Sequence, residues 1–182
     1  ADLWRPLVDE ATVDRVGSLL ATKRGAGEEP RPTILLAAHA DELGLMVTRI
    51  MDQRGQGFLR VTNLGGVDRR HLLGQTAIVH GRETLTGVLG GLPASMLPDA
   101  ARLRELVSVG DFVSFRQPLR RLQNGRVTGK ALDNRASLAA VTICLEHLQG
   151  RRHTWDVVAV ATAQEETVYL GAYTSAYARR PD

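Results

Sequence analysis

Thr33-Ile34-Leu35-Leu36-Ala37-Ala38-His39 is the stretch on which the fold turns. An unbroken apolar run that stops at a histidine is the pattern of a strand covered on both faces, as at the centre of an α/β sheet, because a half-exposed strand alternates polar and apolar side chains. A second such run, Trp155 to Ala163, ends just before Gln164-Glu165-Glu166. Ahead of it, Ala136, Ala139, Ala140, Ile143, Cys144, His147 and Leu148 recur at helical spacing, with Asp133 and Asn134 as the expected N-cap and Gly150 as the stop. Gly171 to Ala178 reads as a further helix. Strand, helix, strand, helix is α/β order.

Outward from this core the texture changes. Val13 to Lys23 reads as two short strands around a turn at Gly17, followed by a polar loop from Arg24 to Arg31. Leu43 to Met51 continues as a strand. Short alternating segments then follow at Gly57 to Val61, Gln75 to His80, Thr84 to Leu89, Asp111 to Phe115 and Gly125 to Thr128, separated by Gly, Asn and Asp. Close-spaced short strands predict a small β-barrel or sandwich. The expected division is an α/β domain from residues 1–62 and 127–182, with an all-β, barrel-like insertion at 63–126.

Composition narrows the function. At 182 residues, 43% of them hydrophobic and 24% charged, the chain is a globular domain with room for one insertion. Lys and Arg number 23 against 20 Asp and Glu, a net charge of +3, and the basic residues come as scattered pairs rather than a stripe. Aromatic residues make up 4%, too few for a base-stacking platform, so no nucleic-acid partner is expected. No apolar run approaches the ~20 residues of a membrane-spanning helix. No basic start followed by an apolar stretch marks a signal peptide, and the absence of an initiating Met reads as a trimmed or partial chain. Cys144 has no intrachain partner, which suits a reducing compartment, and the cytoplasm is the expected location.

Three polar clusters stand where open α/β sheets place their ligands: His39-Ala40-Asp41, Asp133-Asn134 and Gln164-Glu165-Glu166. Singly, each has an ordinary structural explanation. A dinuclear hydrolase, however, needs a neutral imidazole on one ion, a carboxylate bridging both, a carboxylate on the other, and a free carboxylate to take a proton from the attacking water. All four types are present. In His39-Ala40-Asp41 the one-residue spacer lets Asp41 reach the ring nitrogen that does not bind metal. In Glu165-Glu166 adjacent side chains diverge, so one can bind metal while the other faces substrate.

The segments Leu35 to Val47, Gly65 to Asp68, Leu72 to Gln75, Val109 to Val113, Gly129 to Ala136 and Gln164 to Glu166 resemble, in order, the M42 family of metal-dependent aminopeptidases, some of which carry the label cellulase M or endoglucanase. The resemblance implies a catalytic α/β/α sandwich with an inserted β-domain used for dimerisation, two zinc or cobalt ions per subunit, and removal of residues from peptide N-termini. It implies His39 on one metal, Asp133 bridging both, Glu166 on the second, Glu165 as general base and Asp41 orienting His39. It also implies dimers that assemble further, into a twelve-subunit particle.

The chain departs from that family's pattern in places. The next expected ligand, an Asp, would fall a few residues beyond Asp182, and a last His would fall further on; with two of three protein ligands per ion, a chain of this length is expected to bind metal poorly. The family's N-terminal helix has no counterpart here. Ser95 to Leu106 is short. Thr167-Val168-Tyr169-Leu170 stands where a Val-Gly pair and a basic residue are usual. Lys130 and Asn134 match the motif without an assigned role, and His71, His80, His147 and His153 read as surface or packing residues. The alternative function is a non-catalytic assembly protein on the same fold. A glycosidase fits poorly, since its two-carboxylate mechanism has no use for a metal-binding His.

Overall fold

The computed structural model describes residues 1–90 and 99–182. In chain order its strands are β1 (Glu10–Val13), β2 (Leu19–Lys23), β3 (Thr33–His39), β4 (Gly44–Gln53), β5 (Gln56–Leu64), β6 (Thr76–His80), β7 (Thr84–Val88), β8 (Phe112–Phe115), β9 (Arg120–Arg121), β10 (Val127–Thr128) and β11 (Asp156–Thr162). The helices are α1 (Ala100–Leu106), α2 (Leu132–His147), α3 (Glu165–Val168) and α4 (Leu170–Arg179). They belong to two compact units, Ala1–Glu42 with Ala131–Asp182, and Leu43–Lys130.

The first unit is built on a four-stranded sheet in the order β1-β2-β11-β3. Gly17, at φ 96°, closes the β1-β2 hairpin in a conformation that favours glycine. β11 runs antiparallel to β2 but parallel to β3, and its register sets Thr162 opposite His39. Alternate residues of β11 serve opposite faces. Ala159 and Ala161 join Leu19, Ala21 and Trp4 beneath Leu138, Val141 and Leu145 of α2, while Val158 and Val160 join Leu20 and Leu35. The indole of Trp4 donates to Thr142 Oγ1 at 2.8 Å. α4 packs on β11 and β3. At the far end of β11, Asp156 Oδ1 accepts from Arg31 Nε and from the Gly25 backbone, each at 2.7 Å.

Helical spacing did not disclose which face of α2 packs inward. Of the recurring set, residues 136, 139, 140, 143 and 147 are exposed and Cys144 and Leu148 half-buried, while Leu138, Val141, Thr142 and Leu145 face the sheet. Both sets have helical spacing, and the larger side chains of the second remove more apolar area from water. Asp133 and Asn134 both have non-helical backbone angles, so the regular turns of α2 begin after them.

The second unit carries a five-stranded antiparallel sheet in the order β5-β4-β8-β6-β7, and a separate β9-β10 ladder. Its core is Leu45, Val47, Ala77, Val79 and Val113 from the sheet, with Leu103, Leu106 and Val107. The unit begins at Leu43 rather than 63 and ends at Lys130 rather than 126, because β4 pairs with both β5 and β8 and so belongs to this sheet. β5 and β7 are its edges, so among the described residues the sheet stays open instead of closing as a barrel. It is not all β either. Asp99 Oδ1 accepts from Arg102 N at 2.7 Å and starts α1, whose Leu103 and Leu106 face the core. The short segment noted from Ser95 lies, for residues 95–98, outside the described residues.

Candidate metal centre

The parallel pairing of β11 with β3 brings the carboxyl ends of both strands to one place. Ala40 N donates to Thr162 O at 2.9 Å, so the segments that follow the two strands start side by side. His39 ends β3 only 5% exposed. Two residues later, Asp41 uses both carboxylate oxygens on the other segment: Oδ1 accepts from Glu165 N at 3.3 Å and Oδ2 from Glu166 N at 3.1 Å. Asp41 thereby caps the first turn of α3, whose first two residues are the paired glutamates.

The orientation of the His39 ring follows from its neighbours. Nδ1 lies 3.1 Å from the Asp41 carbonyl oxygen, which can only accept, so the ring hydrogen belongs on Nδ1. The Asp41 carboxylate is further away, at 3.8 Å. Nε2 then presents its lone pair to two carboxylates, Asp133 Oδ1 at 3.1 Å and Glu165 Oε2 at 3.5 Å. Lone pairs facing one another are held there only by a proton or another cation.

Glu166 completes the cluster. Ligand atoms of His39, Glu165 and Glu166 all lie within 4.8 Å of one another. Burial raises the Glu166 pKa, and the neighbouring Glu165, Asp133 and Asp41 raise it further against the opposing pull of His39. For His39, burial is the largest single influence and lowers the pKa, but the Asp41 carbonyl, Asp133, Glu165 and the Asp41 carboxylate together outweigh it and leave the pKa raised. One imidazole nitrogen among carboxylate oxygens is a donor set that fits a divalent transition ion.

The backbone is bent to deliver these groups. Ala131, two residues before Asp133, has φ 58°, and Gln164, immediately before Glu165, has φ 60°. A non-glycine residue in the left-handed region costs roughly 1–2 kcal/mol. Two such residues, each just ahead of a cluster member, are the kind of strain that gathers at functional sites. Three other histidines have partners of their own: His80 bonds Ser114, His153 bonds the Trp155 carbonyl, and His71 faces Asp68. Val168 and Tyr169, which follow the glutamates, are more than half exposed.

Fold and site define a class: an α/β unit with a His, Asp and Glu cluster suited to cations at the carboxyl ends of parallel strands. The chain belongs to the M42 family, the pattern described as M42 glutamyl aminopeptidase matching residues 17–106 and 96–182. A protein of Acetivibrio thermocellus, provisionally named an aminopeptidase, is 37% identical over 96% of this chain and 54% of its own length. The solved structure of aminopeptidase APDkam598 from Desulfurococcus kamchatkensis superposes with a TM-score of 0.89 at 33% identity, over 100% of this chain and 54% of that one. The TET1 peptidase of Pyrococcus horikoshii, whose structure is described as assembling into a tetrahedron or a large octahedral shell, gives 0.80 at 28% identity over 95% and 56%. This chain spans about half the length of the curated relatives it matches. Among the described residues no helix is long and apolar enough to cross a membrane.

Proposed function

We propose that the protein to which this chain belongs is a dinuclear metal-dependent aminopeptidase that removes residues from peptide N-termini. The observation that carries the proposal is the Nε2 atom of a buried His39 facing the carboxylates of Asp133 and Glu165 at 3.1 and 3.5 Å. His39 and Asp133 would hold one divalent ion, Asp133 and Glu166 the other, with zinc or cobalt the best match to imidazole and carboxylate donors. When bound, the ions supply Lewis acidity toward the scissile carbonyl and acidify the attacking water.

The remaining work falls to side chains of this chain. Glu165 takes the proton of the attacking water and returns it to the leaving amine. Its carboxylate is held at the centre by the Asp41 cap on its own backbone N–H. Asp41 acts twice more, since its carbonyl fixes the His39 tautomer and its carboxylate charge favours the imidazole as a donor. Self-association, to a dimer and on to a dodecamer, belongs to the same proposal, as does a cytoplasmic location; the assembly described for the Pyrococcus horikoshii relative supports the first.

Glu165→Gln in the complete gene product tests the general-base role. The expected result is a fall in kcat of about 10²–10⁴ with metal content unchanged. Near-normal turnover by that variant overturns the assignment.

A further inference from the structure

Asp133 poses a positioning problem. Its side chain is 89% exposed, it stands on backbone outside the helix that follows, and its Oδ1 must still meet a ring nitrogen on a segment 94 residues away. Around it are the like charges of Asp41, Glu165 and Glu166, which repel a fourth carboxylate whenever no cation is present.

A second polar contact joins the segment after β3 to the start of α2. Glu42, next to Asp41, and Arg135, two residues after Asp133, form an ion pair with Nη2 and Oε2 3.7 Å apart. The two ends differ. Arg135 is more than half exposed, whereas the Glu42 side chain is 20% exposed and its Oε2 atom is closed to water. The pair is therefore part-buried at its acidic end, unlike an ion pair that is solvated on both sides. Arg135 N also donates to Ala131 O at 3.2 Å, which closes the bend carrying Asp133.

We infer that the Glu42–Arg135 ion pair is a clip that holds the start of α2 against the segment after β3 and so sets Asp133 opposite His39. Arg135 and Glu42 are thus positioning residues for the proposed bridging carboxylate, and touch neither substrate nor metal. The inference rests on the metal-centre reading above, and the experiment separates the two.

The test is a Co²⁺ titration of the complete gene product, following the cobalt absorption bands, for wild type, Arg135→Ala, Arg135→Lys, Arg135→Glu and the swapped pair Glu42→Lys with Arg135→Glu. Loss of a group that orients a metal ligand typically weakens metal affinity about 10–100-fold. Arg135→Ala is expected to weaken Co²⁺ binding within that range, to alter the cobalt spectrum, and to lower kcat more than it changes KM. Arg135→Lys should restore most of the affinity, because the positive charge returns. Thermal unfolding without metal checks that each variant is folded, and only folded variants are compared; if Arg135→Ala does not fold, the swapped pair against a single Arg135→Glu decides, the swap being expected to bind Co²⁺ more tightly. Folded Arg135→Ala with wild-type affinity and spectrum, or a swapped pair no better than Arg135→Glu alone, overturns the clip and leaves the metal centre standing. A wild type that binds no Co²⁺ overturns the metal centre, and the clip with it.

Discussion

His39 and Glu166 carry the chemistry of the site in their protonation. Both have folded-state pKa values raised above their ordinary ones, by the causes given above. A raised folded pKa contributes stability that is fully present below the unfolded value and is lost as pH rises through the folded one. For His39 the unfolded value is about 6.5. The cation-free protein is therefore expected to lose thermal stability as pH climbs above that value, and a His39→Gln variant to lose much less over the same range. Thermal melts in a chelating buffer across the pH series check this; equal slopes for both proteins contradict it. Cations compete with the same protons, so metal affinity rises with pH. At this scale the sequence offered residue types: His39, Asp41, Glu165 and Glu166 by their place after apolar runs and Asp133 by its place at a helix start, and the structure brings their side chains near one another. What the sequence did not disclose was the division of labour within Asp41, whose carbonyl faces the ring while its carboxylate caps α3. Backbone contacts leave no mark on residue identity.

At the scale of elements, the apolar runs located the strands but not their cover: among the described residues β3 is the edge of its sheet, not the centre, and its Ile34 and Ala37 are exposed. β3, β4 and β11 stand within a residue or two of their expected positions, whereas β1 ends at Val13, where the first strand of the hairpin was expected to begin. Helix faces were harder. α2 holds two apolar sets at helical spacing, and only the sheet beneath it decides between alanines and the bulkier Leu138, Val141 and Leu145. α1 was hidden by its length, since seven residues give barely two turns of periodicity, although Asp99 ahead of Ala100 was a readable cap. α3 and α4 meet at Tyr169, which stands at φ 56°, and α4 then passes very close to β11. A Cβ on Gly171 would run into the Ala163 carbonyl oxygen and Ser18 Oγ, the latter already accepting from Ala163 N at 3.2 Å. Gly171→Ala is accordingly expected to destabilise the fold by about 1–3 kcal/mol, the usual penalty of forcing atoms into filled space. Urea denaturation gives the number, and an unchanged midpoint would show that α4 can move away freely.

Taken whole, the chain joins a sheet unit that holds the polar cluster and a β-rich unit that holds none of it. Every member of the cluster comes from Ala1–Glu42 or Ala131–Asp182. The insertion was legible from its short strands and glycine-rich turns, but its boundary was not: the segment from Leu43 to Met51 is as apolar as a strand of either unit, and only pairing with β8 assigns it. The chain belongs to the M42 family, and the proposed chemistry depends on side chains converging around cations. Crystals of the complete gene product grown with zinc, with anomalous scattering measured at the zinc edge, test that convergence most directly. Two zinc peaks are predicted, one about 2.0–2.1 Å from His39 Nε2 and both in reach of Asp133, with Glu166 on the second. Zinc bound elsewhere, or no ordered zinc beside His39, would contradict it.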